Sequence, residues 1–287
     1  MPAVRLLDPD RMEERAVAAV DDALAATQLA FDGVASTYDR SNDENRTLRA
    51  MRLRTLDAIT THVPSGSRIL DLGCGPGCDD EHLAHRGYSV TAIDWSAAMV
   101  DQARRRVQAA GVEDRVDVHH LGIHELDRLA PGTFDAATSN FGPLNCVPSL
   151  PDAAHLIADR LRPGGVLVAS VIGRVCPWEI ALYLIRGDWT RVGIRFTRDL
   201  VGVPLNGRTV WMRYHTPESF DRTFRAAGFA RVSLRALGLF APPPYLQRFA
   251  DRHWPLVAGL QRIDDLVGAC PGLRGLGDHF LVVLRKA

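Results

Sequence analysis

Residues 69–78 read ILDLGCGPGC. A short apolar run holding one carboxylate, Asp71, leads into glycine at every second place: Gly73, Gly75 and Gly77. Glycine loses the most backbone freedom on folding, so three together predict a turn that is closely approached or takes left-handed angles. The run before them predicts a strand over 68–72. The residues after them predict a helix over 81–85 that Gly87 stops. A glycine turn between strand and helix presents bare backbone and unpaired N–H groups to a ligand.

The same alternation continues outward. Strands are predicted over 89–93, 115–119, 134–139 and 166–172, and helices over 97–110 and 153–161. Strands separated by helices imply βαβ units, hence an α/β fold: a doubly wound, mostly parallel sheet with helices on both faces. Ligands of such sheets sit at the carboxyl ends of the strands. The glycine turn and Asp94 both fall at such ends, and a carboxylate in the place of Asp94 accepts from both hydroxyls of a ribose. Together they describe an adenosine-type ligand.

Helical patterns over 11–30 and 45–62 place an N-terminal cap at 1–62, before a core at 63–172. Residues 173–215 show no clean periodicity and hold Trp178, Trp189 and Trp211, which reads as a substrate-lid insert. Residues 216–287 complete the sheet. Thr216 and Pro217 start a helix that Gly228 ends, a strand is expected over 231–239, and a helical insert precedes the final strand, HFLVVLRK.

The 287 residues are 46% hydrophobic and 24% charged with a net charge of +0, a globular composition read as one elaborated domain. Balanced charge leaves no footprint for a polyanion, so no nucleic-acid partner is expected. Five cysteines without regular spacing make no disulfide framework. Cys74 and Cys78 lack the second pair of ligands that zinc needs, so no metal is expected. The N-terminus is acidic and broken by proline, unlike a signal peptide. No apolar run reaches the ~20 residues that cross a bilayer. A cytoplasmic protein without a membrane partner is the expectation.

Two cofactors fit an adenosine site. The nicotinamide fingerprint G-x-G-x-x-G/A would put Cys78 in its third place, and Asp71 would repel a pyrophosphate. The order Asp71-Leu-Gly73-Cys74-Gly75-Pro-Gly77 instead resembles the first motif of class I S-adenosylmethionine-dependent methyltransferases. FDGVASTYDRSN (31–42) resembles the N-terminal cap of the subgroup typified by ubiquinone/menaquinone C-methyltransferases. VTAIDWSAAMVDQAR (90–104) resembles the second motif, GTFDAATSNFGPLNCV (132–147) the fourth strand and the loop facing the methyl group, and LIADRLRPGGVLVAS (156–170) the helix and turn before the fifth strand. The resemblance covers 31–172, then weakly 216–240 and the last strand.

That resemblance implies S-adenosylmethionine as cofactor and S-adenosylhomocysteine as product. It puts Asp71, Gly73, Cys74, Gly75 and Gly77 at the methionine and ribose side, Asp94 at the ribose, Trp95 and Met99 beside the adenine, and Tyr38 as a cap. Arg49 or Arg52 is available to the cofactor carboxylate. One departure stands out: the subgroup's acid for the adenine amino group aligns with Gly122 in LGIHEL (121–126). The contact then passes to the backbone of Ile123, to His124 or to Glu125. Asn140 and Phe141 should lie near the methyl group. Asn145 and Cys146 follow them, Cys146 reading more simply as a buried small residue.

For the acceptor, Phe141, Asn145, Trp178, Tyr183, Tyr214 and Tyr245 are candidates, with Glu179 as a nearby acid. Aromatic rings there suit an apolar or planar molecule and favour a sulfonium. His215 reads either as a general base or as a structural histidine. The functional expectation is a methyltransferase acting on a small, specialised metabolite. Two other readings stay open: a protein of this fold that binds the cofactor without transferring methyl, and a nicotinamide oxidoreductase. A homodimer is a possible assembly.

Overall fold

In the first strand Leu70 and Leu72 face one side of the sheet and Ile69 the other, and all three are buried completely. A strand buried on both faces needs helices on both, and the computed structural model has them. It describes residues 9–131 and 134–287, apart from the side chains of 9–19 and 39–43. The stretch 1–8 weighed as a signal peptide, the turn residues Gly132 and Thr133, and the side chains of the cap motif after Tyr38 up to 43 lie outside the described residues.

The strands are β1 (Arg68–Leu72), β2 (Ser89–Asp94), β3 (Val116–His120), β4 (Phe134–Ser139), β5 (Leu161–Ile172), β6 (Val201–Leu205), β7 (Arg208–Met212), β8 (Phe229–Leu237) and β9 (His279–Lys286). The helices are α1 (Pro9–Asp43), α2 (Arg46–His62), α3 (Cys78–His85), α4 (Ala97–Ala110), α5 (Leu150–Arg160), α6 (Pro177–Ile185), α7 (Trp189–Val192), α8 (Pro217–Ala226), α9 (Gln247–Arg252) and α10 (Trp254–Val267). Seven strands form one sheet in the order β3-β2-β1-β4-β5-β9-β8. Neighbours from β3 to β5 are parallel, and β9 runs antiparallel to both β5 and β8. The strand order reverses direction between β1 and β4, which opens a crevice at their carboxyl ends.

Local chemistry sets the element ends. Ser96 caps α4 by accepting from Met99 N–H at 3.1 Å, and Gly111 closes it in the left-handed region. Thr216 and Ser219 cap α8 reciprocally.

Three expectations change. The cap is not broken after residue 30, because α1 continues to Asp43. Helix α5 begins at Leu150 rather than 153, since Ser149 accepts from Asp152 N–H. The insert contains an antiparallel hairpin, β6–β7, turned by Asn206 (φ 47°) and Gly207 (φ 78°). Asn-Gly is the residue pair that such a tight turn favours.

Candidate functional site

The three glycines that open the sequence argument have different reasons to be bare. A Cβ on Gly73 would stand 2.5 Å from the Pro143 side chain, and one on Gly77 would stand 3.1 Å from Ala103 of α4. Both positions are emptied for the protein's own packing. Gly77, assigned to the cofactor from the sequence, does not border the cleft itself. At Gly75 (φ 56°) a Cβ would meet nothing within 4 Å, and this residue borders the cleft. One glycine of the three shows open backbone to a ligand.

The cleft holds about 1200 Å³, its mouth included. Gly73, Cys74, Gly75 and Asp94 form its floor. Asp94 accepts from the N–H groups of Gly75 at 2.9 Å and Ser96 at 2.8 Å. Burial pushes its carboxyl up to about 6 against those two hydrogen bonds. Asp71 lies deeper. Burial, then the charges of Asp80 and Asp79, raise its pKa well above the usual carboxylate range. Burial raises the neighbouring Asp80 to about 7. Neither oxygen of Asp80 has an N–H or hydroxyl donor among the described residues, and burial favours its protonated form.

At one end of the cleft Trp95, Met99, Leu121, Gly122, Ile123 and His124 form the lining. The Trp95 and His124 rings meet edge to face at 4.6 Å, and Trp95 Nε1 is buried without a hydrogen-bond partner among the described residues. A Cβ on Gly122 would stand 2.4 Å from the His124 ring and 2.8 Å from Trp95, so the imidazole occupies the volume an acidic side chain would need. Glu125 is engaged elsewhere: its carboxylate accepts from Gly122 N–H at 3.0 Å and from Arg128 at 2.7 Å.

At the other end Asn140 is fixed on both sides. Its Nδ2 donates to Asp79 at 2.9 Å, and its Oδ1 accepts from the Thr55 hydroxyl at 3.1 Å. Arg52 pairs with Asp79 at 2.9 Å and lies over the Phe141 ring at 5.4 Å. Of the two arginines offered by the sequence, Arg52 borders the cleft and Arg49 is exposed. Phe141 takes a left-handed φ of 62°, uncommon for a bulky residue, and turns the chain just after β4. Pro143, Cys146, Val147, Ile172 and Met212 continue the wall.

Helix α1 roofs the cleft with Leu24, Thr27, Gln28, Phe31 and Tyr38. Gln28 Nε2 donates to Trp95 O at 3.0 Å, Asp32 accepts from Ser96 Oγ at 2.5 Å and from Ala98 N–H at 3.2 Å, and Thr27 Oγ1 accepts from Trp211 N–H at 2.9 Å. None of these polar stitches was anticipated. The roof itself had a signal, a stripe at helical spacing, 24-28-31-38. Asp79 and Asp80 were also missed, since acids at a helix start read simply as partners of its dipole.

The remaining candidates lie outside the cleft. Asn145 is a clamp: its amide serves Ile172 N–H, Ile172 O and Arg213 O, which uses both of its N–H donors. His215 forms a bridge with Gly173 and packs by Phe220. Burial, with Arg174 and Arg213 nearby, lowers its pKa to about 4, which makes it a poor base as well as a remote one. Trp178 donates to Phe240 O, Tyr183 lies under Arg191, and Tyr214 is buried under Arg195. Tyr245 is 54% exposed on the surface. Among the described residues Cys176, Glu179 and Asp278 lie close enough for a metal, but Arg195 bonds both carboxylates and supplies the cation.

A parallel sheet with this strand order, a glycine turn after β1 and a carboxylate closing β2 define a class I S-adenosylmethionine-dependent methyltransferase fold. The comparisons agree: residues 69–165 match the methyltransferase domain family. The ubiquinone biosynthesis O-methyltransferase of Xanthomonas euvesicatoria pv. vesicatoria is 30% identical over 163 residues, 55% of this chain and 65% of that protein. The chain thus matches under two thirds of this relative's length. Among solved structures, geranyl diphosphate C-methyltransferase from Streptomyces coelicolor A3(2), in complex with Mg²⁺, geranyl diphosphate and S-adenosyl-L-homocysteine, superposes with TM-score 0.55 at 15% identity, covering 82% of this chain and 78% of that one. The cyclase SpnF superposes with TM-score 0.53 at 20% identity, covering 82% and 80%. S-adenosylmethionine is the cofactor of this class. The bare backbone at Gly75, the fixed carboxylate of Asp94 and the unpartnered Trp95 Nε1 suit its adenosyl part.

Proposed function

We propose that the protein transfers methyl from S-adenosylmethionine to a small, largely apolar acceptor. The observation that carries this reading is the two-ended cleft, polar backbone and carboxylates at one end and Phe31, Phe141, Ile172 and Met212 at the other. The names of its likenesses, an O-methyltransferase of ubiquinone biosynthesis and a C-methyltransferase of geranyl diphosphate, support a lipophilic acceptor of the kind found in specialised metabolism.

Asp94 would hold the ribose hydroxyls, and its two backbone donors keep both oxygens oriented. The Asp71–Asp80 pair would face the methionine end with one negative charge instead of two. Trp95 and Met99 would flank the adenine. Its amino group would meet the neutral imidazole of His124, whose pKa burial lowers, in place of an acid. When bound, the sulfonium supplies an electrophilic methyl group with its leaving group already activated. What the chain adds is alignment: Asn140, held by Thr55 and Asp79, and Phe141, held under Arg52, would fix the acceptor's approach. Good alignment is worth up to about 7–11 kcal/mol in model systems.

A second reading is favoured by one observation: among the described residues, no histidine borders the acceptor end. A cyclase shares the fold, so cofactor binding without methyl transfer is the competitor. Incubation with methyl-labelled S-adenosylmethionine and a panel of phenols, enols and prenyl compounds decides. Label in an acceptor supports the first reading. Tight S-adenosylhomocysteine binding with no label in any acceptor supports the second.

A further inference from the structure

Helix α6, PWEIALYLI, is built inside out. Its one charged residue, Glu179, is its one buried residue, held by Arg195 Nη2 at 2.5 Å, while Ile185 is 85% and Leu184 42% exposed. The same face continues into α7, where Trp189 is 72% exposed, and on to Phe240 at 39% and Phe249 at 38%. It is continuous, because Trp178 joins the two parts: its ring lies 6.2 Å from Phe249 and its Nε1 donates to Phe240 O at 2.8 Å. Apolar faces of this kind on a globular protein mark a surface that something covers.

The charges around it choose the occupant. Arg186, Arg191, Arg198, Arg248 and Arg252 are exposed along these segments, against two exposed acids, Asp199 and Asp251. Asp188 pairs with Arg191 Nε at 3.4 Å and accepts from Arg191 N–H and the Thr190 hydroxyl, which leaves four arginines against the two acids. A second copy docked symmetrically would set arginine fringe against arginine fringe. Aromatic and aliphatic side chains inside a basic fringe are the composition of a segment lying in a membrane interface, where anionic head groups meet the arginines. No helix among the described residues is long and apolar enough to cross a membrane, so the contact would be peripheral.

We propose that the α6–α7 face, continued by Phe240 and Phe249, docks the protein on anionic lipid surfaces. This replaces the expectation of no membrane partner and does not depend on the methyl-transfer reading. Contacts lead inward from the face to the acceptor end: Glu179 to Arg195, Arg195 to Asp278 at 2.8 Å, Asp278 to His279 at 3.0 Å, and the His279 ring edge-on to Phe141.

The test is co-sedimentation of the full chain with vesicles of phosphatidylcholine alone and of phosphatidylcholine mixed with phosphatidylglycerol. The anionic vesicles should bind at least about tenfold more tightly. Ile185→Glu with Trp189→Glu should lower that binding about tenfold or more. Both residues are exposed, so the thermal midpoint and S-adenosylhomocysteine affinity should not move. Arg186→Glu with Arg248→Glu should abolish the preference for anionic lipid. No binding to either vesicle, or binding that ignores all four substitutions, overturns the proposal. So does a dimer in sedimentation that Ile185→Glu dissociates, which would make the face a self-interface.

Discussion

The two ends of the cleft are made of different material. At the cofactor end the contacts are backbone: Gly75 without a side chain, and Asp94 tied down by two main-chain N–H groups. At the acceptor end they are side chains contributed by α1, the turn after β4, the end of β5 and β7. Contacts anchored on the main chain of the strand ends keep their geometry under most substitutions, Asp94 itself excepted. A site made of side chains changes with single substitutions and leaves the sheet intact. On the proposed reading, donor recognition rests on the strand ends and acceptor choice on replaceable side chains.

The sharpest way to break that contrast is Asp94→Ala. Hydrogen bonds to charged groups are worth about 1.5–3 kcal/mol each, so S-adenosylhomocysteine affinity should fall about 100-fold in calorimetry. Unchanged affinity, with circular dichroism showing an intact fold, would refute the assignment of the floor.

Gly75→Ala and Gly111→Ala refine it. Both glycines are left-handed with open space around the Cβ, and each substitution should cost about 1–2 kcal/mol of stability. Only Gly75 borders the cleft, and only its variant should also weaken S-adenosylhomocysteine, by about tenfold. Equal affinities in the two variants would show that open backbone at Gly75 is not a contact.

Ile172→Ala, at the far end, should leave S-adenosylhomocysteine binding within about twofold. Its kcat/KM for an apolar acceptor should change several-fold, since a methylene or two in such a pocket is worth about 1–3 kcal/mol. A large loss of cofactor affinity would mean that the two ends are not separable.

The smallest effect concerns Asp80. Its folded pKa lies above that of the unfolded chain, so the native state holds more protons than the unfolded state across roughly pH 4 to 7. Stability from this group is complete below that window and is lost as the pH rises through it. Asp80→Asn removes the titration and can donate to Asp71. It should raise the thermal midpoint at pH 8 by about 2–4 °C and have little effect at pH 4. A midpoint gain that is the same at both values would exclude a protonated Asp80.

The cofactor end was legible in the sequence because its requirements are local. The sheet strands with their glycine turn, the Asp94 terminus and the Thr216 cap each declare themselves within a few residues; the Ser96 cap went unread. The acceptor end was not, because its wall is assembled from residues as far apart as Phe31, Ile172 and Met212. Aromatic content pointed to Trp178, Tyr183, Tyr214 and Tyr245, yet composition cannot tell an inward ring from an outward one. In α6 the usual rule inverts, with the acid inside and the aliphatic residues outside, so hydrophobicity misdirected the reading. The hairpin was available in Asn206-Gly207 and went unread. His215 shows the limit of residue type: burial beside Phe220 removed the basicity that made it a candidate.

Helix α1 has a kinetic consequence. It closes over the cleft through Thr27, Gln28 and Asp32, whose partners are Trp211, Trp95, Ser96 and Ala98. Asp32→Ala, which removes two of these links, should shorten the residence time of S-adenosylhomocysteine in stopped-flow measurements. Turnover would then respond to substitutions at Asp32 that never touch the reacting atoms.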